Sequence, residues 1–430
     1  MNDFEQDTES VPRAMLAAAR SRTLQLVDAF SAEQWLGPRL TIVNPSLWEV
    51  GHLGWFEERW CLRRGAGSGL ASSLLRDADA LYDSAAVPHH TRWDLPLPDV
   101  AATLRYLAQV REVVNLRLEQ DITDPALNYF AQLCTYHEEM HCEALTYTRQ
   151  TLAYPAPSGP PCAAGGGACA GDVEISGGRF QLGAVDDGTF VFDNEKWAHA
   201  VEVRPFRMAR APVTNAQFAE FVDDGGYLDH RWWSPEGWAW RAGECASAPL
   251  YWRREGGTWL RRRFADEEPL PQDEPAIHVN WHEATAWCRW AGRRLPTEAE
   301  WEFAAATVPG APVAKRRYPW GETEPSAATA NLYGTASGCV AVGACSAGDS
   351  AWGVRQMIGN VWEWTADWFQ PYPGFVRDPY AEYSEPWFGN HKVLRGGCHA
   401  TRACLIRNTW RNFYRPDRRD VFAGFRTCAV

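Results

Sequence analysis

The chain of 430 residues has no apolar run long enough to read as a membrane-spanning helix, which takes about 18 residues. Its opening residues, MNDFEQDTES, are acidic and polar and lack the basic-then-apolar order of a secretory leader. A basic excess is also missing. Lys and Arg number 42 against 54 Asp and Glu, a formal net charge of -12. That balance argues against nucleic acid or an anionic membrane as partner, since either calls for a positive face. The 12 cysteines include no C-x-x-C pair. In a chain of this size without an export signal they read as reduced, mostly buried thiols rather than a disulfide framework. The expectation from these absences is a cytoplasmic protein.

What is present is an ordinary globular composition, 46% hydrophobic and 22% charged, with length enough for two domains. The 23 tryptophans stand out. Indoles bury large areas, and their faces also take cations and sugars.

Residues 10–155 carry helical periodicity. Four long amphipathic patterns occur there: PRAMLAAARSRTLQLVDAF, SLWEVGHLGWFEERWCLRR after Asn44-Pro45, PDVAATLRYLAQVREVVNLRLEQ, and ALNYFAQLCTYHEEMHCEALTYTRQTLA. They predict a four-helix bundle over 1–155. The Pro/Gly/Ala-rich stretch 156–172, with Cys162 and Cys169, reads as a linker. From 173 to 430 the texture changes to short strands with many Gly and Trp. GDVEISGGRFQLGA reads as a strand pair joined by a tight Gly-Gly turn, and clear helices are expected only near 214–223, 282–291 and 297–306. The fold class is thus α+β, a helical domain followed by an irregular one with function on its loops.

The fourth helix contains His137-Glu138-Glu139-Met140-His141, which matches the H-E-x-x-H pattern of zinc proteases. In a helix the two imidazoles project from one face about 6 Å apart, a chelating spacing. Two imidazoles do not hold a catalytic metal alone, and His52 of the second helix is the third candidate. Three neutral imidazoles leave coordination positions open and suit Zn or Fe(II) without choosing between them. A peptidase would also need Glu138 aimed at the metal, whereas its position on the helix lies off the histidine stripe.

The later motifs carry a resemblance. DNEKWAHAVEVRPFRMARAPVTNAQFAEFV, RRLPTEAEWEFAAA, YPWGE, GNVWEWTADWF, VLRGG and AGFR occur in that order. The series resembles the formylglycine-generating-enzyme (sulfatase-modifying factor) fold, of C-type-lectin-like architecture. The first half is similar to a DinB-like bundle. The two in this order resemble the ergothioneine-pathway sulfoxide synthases and their relatives, the selenoneine synthases.

The resemblance implies Fe(II) held by His52, His137 and His141, with O2 as co-substrate. It also implies carbon–selenium or carbon–sulfur bond formation at imidazole C2 of hercynine (Nα-trimethylhistidine). In DPYAEYSEPWF, Tyr380 is the implied catalytic donor of a proton or hydrogen atom, and Tyr383 an implied wall of the hercynine pocket. RNTWRNFYRPDRRD resembles the substrate loop, with Asn412 as polar contact and Phe413 as aromatic; Trp387 and Trp410 are further candidate walls. A trimethylammonium group calls for such cation–π surfaces.

Three departures bear on the chalcogen donor. Family members that use γ-glutamylcysteine carry two arginines in the second connection of the bundle, whereas this chain keeps Arg92 and has His89 at the other position. Tyr414 replaces an aspartate, and Met140 a glutamine. Each charge-assisted contact is worth about 1.5–3 kcal/mol, so losing two weakens a zwitterionic donor by powers of ten. The aromatic, weakly charged set that remains suits a selenosugar. Cysteine or γ-glutamylcysteine as thiol donor is the alternative. A copper-type formylglycine-generating oxidase built on Cys398 and Cys404, or a non-catalytic scaffold, are the rivals from other classes.

Overall fold

The computed structural model describes residues 11–64, 70–121, 123–161, 165–311 and 315–430. Cys162 lies outside them. The chain divides into two compact units, Met1–Thr148 and Arg149–Val430. Among the described residues no helix is long and apolar enough to cross a membrane.

The four long helices form as their periodicity predicts: α1 (Val11–Val27), then after the short α2 (Ala32–Leu36), α3 (Ser46–Cys61), then after the short α4 (Ala78–Tyr82), α5 (Val100–Gln120) and α6 (Pro125–Thr151). Local signals set their starts. Asp99 caps α5 by accepting from the Ala102 amide, Ser31 and Gln34 close a capping box on α2, and Pro125 stands where a missing N–H costs nothing.

The two short helices escape a periodicity reading because five residues make little more than one turn. Yet α4 matters. The ring of its buried Tyr82 lies where a Cβ on Gly51 of α3 would fall, at 2.4 Å, and Gly54 one turn on lets α3 approach Leu107 of α5.

The bundle interior is charged as well as apolar. Arg20 of α1 donates from Nε to Glu138 at 2.7 Å and from Nη2 to Glu57 at 2.9 Å; Arg111 of α5 donates to Glu57 at 2.6 Å; Arg22 meets Glu139 at 2.7 Å. Burial raises the Glu57 carboxyl, but Arg20 and Arg111 outweigh it and hold that group below its ordinary value. Four helices are thereby tied through paired charges, the form in which buried charge is tolerated.

The second unit contains β1 (Asp172–Ile175), β2 (Gly178–Leu182), β3 (His199–Val203), β4 (Phe206–Ala209), β5 (Trp252–Glu255), β6 (Thr258–Arg263), β7 (Asp266–Pro269), β8 (Arg293–Arg294), β9 (Trp362–Trp368), β10 (Lys392–Arg395), β11 (Asn412–Tyr414), β12 (Ala423–Gly424) and β13 (Cys428–Ala429). Its sheets run β1-β4-β13-β8, β11-β10-β9-β12, β2-β3 and β5-β6-β7.

Two expectations need correcting. First, β1 and β2 do not pair with each other: β1 pairs β4 and β2 pairs β3, both antiparallel. Gly177 and Gly178 do adopt positive φ, but Gly177 packs where a Cβ would meet the Val203 carbonyl at 2.3 Å, so the turn redirects the chain between two sheets instead of closing a hairpin. Second, besides the expected helices α7 (Asn215–Asp223), α9 (Trp281–Trp290) and α10 (Glu298–Ala306) there is α8 (Pro235–Gly243) between α7 and α9. Ser234 caps it and Pro235 opens it, a start signal present in SPEGWAW but outweighed by its glycine and tryptophans.

The core packs Phe180, Phe206, Met208, Trp301, Phe303 and Tyr372 together. Beside it, the fully buried Arg395 bonds Glu298 and Glu302, and Arg426 bonds Glu363.

Candidate metal centre and aromatic loop site

On α3, positions 48, 52 and 56 recur at helical spacing and present Trp48, His52 and Phe56 along one side. On α6, His137 and His141 do the same. The five rings assemble. The His52 imidazole stacks on Trp48 with centroids 5.0 Å apart, and His137 stacks on Phe56 at 3.6 Å. His52 and His137 lie 5.1 Å apart, and His137 and His141 4.5 Å. One nitrogen of each imidazole falls within 4.8 Å of the others, the one such donor cluster among the described residues.

Hydrogen bonds fix which nitrogens converge. His52 Nδ1 donates to the Tyr82 carbonyl at 2.8 Å, and His141 Nδ1 donates to Glu49 at 2.7 Å. These partners, not observed protons, assign the tautomers and leave Nε2 of both rings with a lone pair. His52 Nε2 stands 3.3 Å from His137 Nε2. Two nitrogens about 2.1 Å from one cation, in adjacent positions around it, stand about 3 Å apart. The pair therefore fits a shared divalent metal. Burial pushes the His52 and His137 rings well below the ordinary histidine value, so both are neutral, the ligating form. His141 is half-buried, with 21% of its side chain exposed, whereas His52 and His137 are buried, which puts the open side of the site at His141.

Glu138 does not face this cluster. Its carboxylate accepts from Arg20 and from the Thr23 hydroxyl, both at 2.7 Å. It is therefore no general base for a metal-activated water, and the zinc-protease pattern is accidental. Met140 precedes His141 on α6 and is half-buried.

Arg92 and His89 lie in and beside the short turn His89–Thr91. Arg92 sits 3.7 Å over the Trp48 ring and donates to Asn44 at 2.7 Å and to the Val87 carbonyl. Burial pulls its guanidinium down to about 10. His89 bonds the Val43 carbonyl at 2.7 Å and meets Trp93 edge to face. Both side chains are thus engaged by the bundle itself.

In the second unit, Tyr380 caps the turn Ala381–Tyr383, with its ring 6.0 Å from that of Tyr383. Tyr383 stacks on Phe192 at 4.3 Å and meets Phe413 at 5.8 Å; burial raises its phenol. His391 joins Phe413 to Trp387, at 6.0 and 5.1 Å. The stretch DNEK positions this loop. Ser384 is held by Asp193 and Asn194, and Lys196 pairs with Asp378 at 2.7 Å.

Strand pairing separates the neighbours in β11, where Tyr414 faces Lys392, Phe413 faces Val393 and Asn412 faces Leu394. Alternation puts Phe413 on one face of the strand, and Asn412 with Tyr414 on the other. Tyr380, Tyr383, Phe413 and Trp387 are therefore brought together through ring contacts, while Asn412 and Tyr414 lie on the other face of β11. Cys398 is fully buried, its sulfur 3.5 Å from the Thr401 hydroxyl.

Sequence reasoning missed Trp48, Phe56 and Tyr82 as supports of the histidines. The first two carry a signal, positions four residues either side of His52. The third acts through a backbone carbonyl and carries none.

These features define a class of two-part proteins in which a helical unit holding a three-imidazole site precedes a Gly- and Trp-rich unit with an aromatic loop cluster. Residues 163–429 match the Sulfatase-modifying factor enzyme 1-like domain and residues 15–145 the DinB superfamily. A hercynine oxygenase of Mycolicibacterium thermoresistibile is 41% identical over 428 residues, covering 96% of this chain and 93% of that protein. A hercynine oxygenase of Mycobacterium tuberculosis is 42% identical over 416 residues, covering 96% of each. A formylglycine-generating enzyme of Streptomyces coelicolor is 34% identical over 286 residues, 60% of this chain and 88% of that protein. The chain belongs to the hercynine oxygenase family.

Proposed function

We propose that the chain is an Fe(II)- and O2-dependent enzyme that joins selenium, or sulfur, to imidazole C2 of hercynine. The observation that carries this reading is the set of three convergent imidazoles, with the Nδ1 atoms of His52 and His141 engaged and a ring nitrogen of each residue within 4.8 Å of the others. His52, His137 and His141 would hold the iron, which supplies a redox-active centre for dioxygen reduction when bound. Tyr380 would give a proton or hydrogen atom from its phenol. Tyr383 and Phe413 offer ring faces to the trimethylammonium group. Asn412, Tyr414, Trp387 and Met140 are assigned to further substrate contacts.

The favoured donor is a selenosugar. Arg92 is already bound to Asn44 and the Val87 carbonyl and lies over Trp48, and His89 is held by the Val43 carbonyl. At most one cation, Arg92, is left for a donor with two carboxylates, and Tyr414 offers no anion to an ammonium group. A neutral polyol asks for neither.

The test is a competition. Purified enzyme, loaded with Fe(II) in the presence of O2 and hercynine, is given a selenosugar, cysteine and γ-glutamylcysteine together. The expected product carries selenium at C2. Clear preference for γ-glutamylcysteine would overturn the donor assignment, and absence of any hercynine turnover would overturn the activity.

A further inference from the structure

The geometry points to Glu49 as a positioning residue and counter-charge of the metal site, a role that rests on the iron reading above. Three imidazoles bring no negative charge to a divalent cation. Glu49 brings one, one ring away: its carboxylate accepts from His141 Nδ1 at 2.7 Å, across from α3 to α6. It is 1% exposed. A buried carboxylate is costly unless its charge is answered. What answers it here is the His141 N–H, the neighbouring Arg92 guanidinium, whose charge Glu49 favours, and the positive end of α3, in whose first turn Glu49 lies.

Glu49 and His52 are three residues apart, so one turn of α3 delivers both a ligand and the carboxylate that orients a second ligand on another helix. The two supported imidazoles are not equivalent. A neutral carbonyl, that of Tyr82, holds His52, and an anion holds His141. A carboxylate behind an imidazole makes the far nitrogen a stronger donor and fixes its tautomer. The site is thus three imidazoles with the carboxylate displaced outward by one ring, and not three imidazoles alone.

The experiment uses the full chain, freed of metal and titrated without oxygen. Fe(II), and separately Co(II) for its visible spectrum, are competed against a chromophoric chelator. Glu49→Gln keeps an oxygen that accepts from Nδ1 but removes the charge, and is expected to bind either ion about 10–100-fold more weakly, with apo-protein thermal unfolding little changed. Glu49→Asp keeps the charge and is expected to bind more tightly than Glu49→Gln. Wild-type affinity in Glu49→Gln would overturn the role and leave the iron reading standing. If Glu49→Gln does not fold, Glu49→Asp decides: measurable binding supports the role, and complete loss of binding in a folded protein overturns it. Failure of the wild-type chain to take up either ion would sink the iron reading and this inference together.

Discussion

Replacing Glu138 separates a stabilising role from the catalytic one its sequence pattern suggests. The carboxylate takes hydrogen bonds from Arg20 Nε at 2.7 Å, Arg20 Nη2 at 3.3 Å and Thr23 Oγ1 at 2.7 Å, with Arg111 Nη2 a further 3.5 Å away. After Glu138→Ala, Arg20 keeps Glu57 and the Leu107 carbonyl but loses half of its fork, in a place too buried for water to compensate. Removing one partner of a buried pair costs about 3–5 kcal/mol. Set against a total stability of about 5–15 kcal/mol, this is a large fraction. Glu138→Gln keeps the shape and one acceptor oxygen, and should lose about 1.5–3 kcal/mol, the worth of a hydrogen bond to a charged group. Urea unfolding of the full chain, followed by far-UV circular dichroism at the helical transition, reads both values. Folded Glu138→Gln should still bind Fe(II) as the wild type does, because the side chain does not face the histidines. The reasoning fails if Glu138→Ala unfolds within about 1 kcal/mol of wild type, below the range for a broken buried pair. It fails equally if Glu138→Gln folds normally but loses turnover.

Other perturbations have defined outcomes. His278 and His399 are buried and held neutral, at about 3 and about 4, chiefly by loss of solvation. Below an unfolded value of about 6.5 the unfolded chain binds the protons that the folded one refuses, so stability falls with pH. Each histidine should cost about 2 kcal/mol between pH 7 and 5, and unfolding of His399→Gln across that range should show a shallower pH slope than wild type. Gly51→Ala drives a methyl into the Tyr82 ring, an overpacking cost of about 1–3 kcal/mol. Because the Tyr82 carbonyl orients His52, Fe(II) affinity measured by chelator competition should fall too. Tyr380→Phe should keep wild-type Fe(II) binding while hercynine conversion drops or diverts to oxidation of the donor; unchanged product yield would remove the tyrosine from the chemistry.

How far the sequence foretold these results depends on how local each determinant is. The four long helices were legible because their hydrophobic spacing persists for many turns, and His137 with His141 because the chelating geometry needs only one helix. The strands following residue 172 were not. Whether Ile175 pairs with the chain just beyond Gly178 or with Phe206 is decided by the sheet opposite, and the Gly-Gly step is compatible with both. Glu49 was illegible for the same reason. A glutamate three residues before a histidine has no meaning until another helix sets His141 against it. Arg92 was legible as a charge but not as one already engaged with Asn44 and Trp48.

The stretch His137-Glu138-Glu139-Met140-His141 shows both cases in five residues. At about 100° per residue, His141 returns to within about 40° of His137, while Glu138 and Glu139 are turned about 100° and 200° away. The structure uses that rotation. The histidines meet His52 of α3, whereas Glu138 and Glu139 turn to Arg20 and Arg22 of α1. One turn of α6 therefore has two chemically separate faces, one nitrogen-rich, the other acidic and paired with arginine. This separation keeps the acidic residues away from the imidazole cluster, while the helix that presents the cluster is anchored through them. A substitution on the glutamate face should register in unfolding, and one on the histidine face in metal affinity. The protease pattern, which joins both faces in one motif, describes neither.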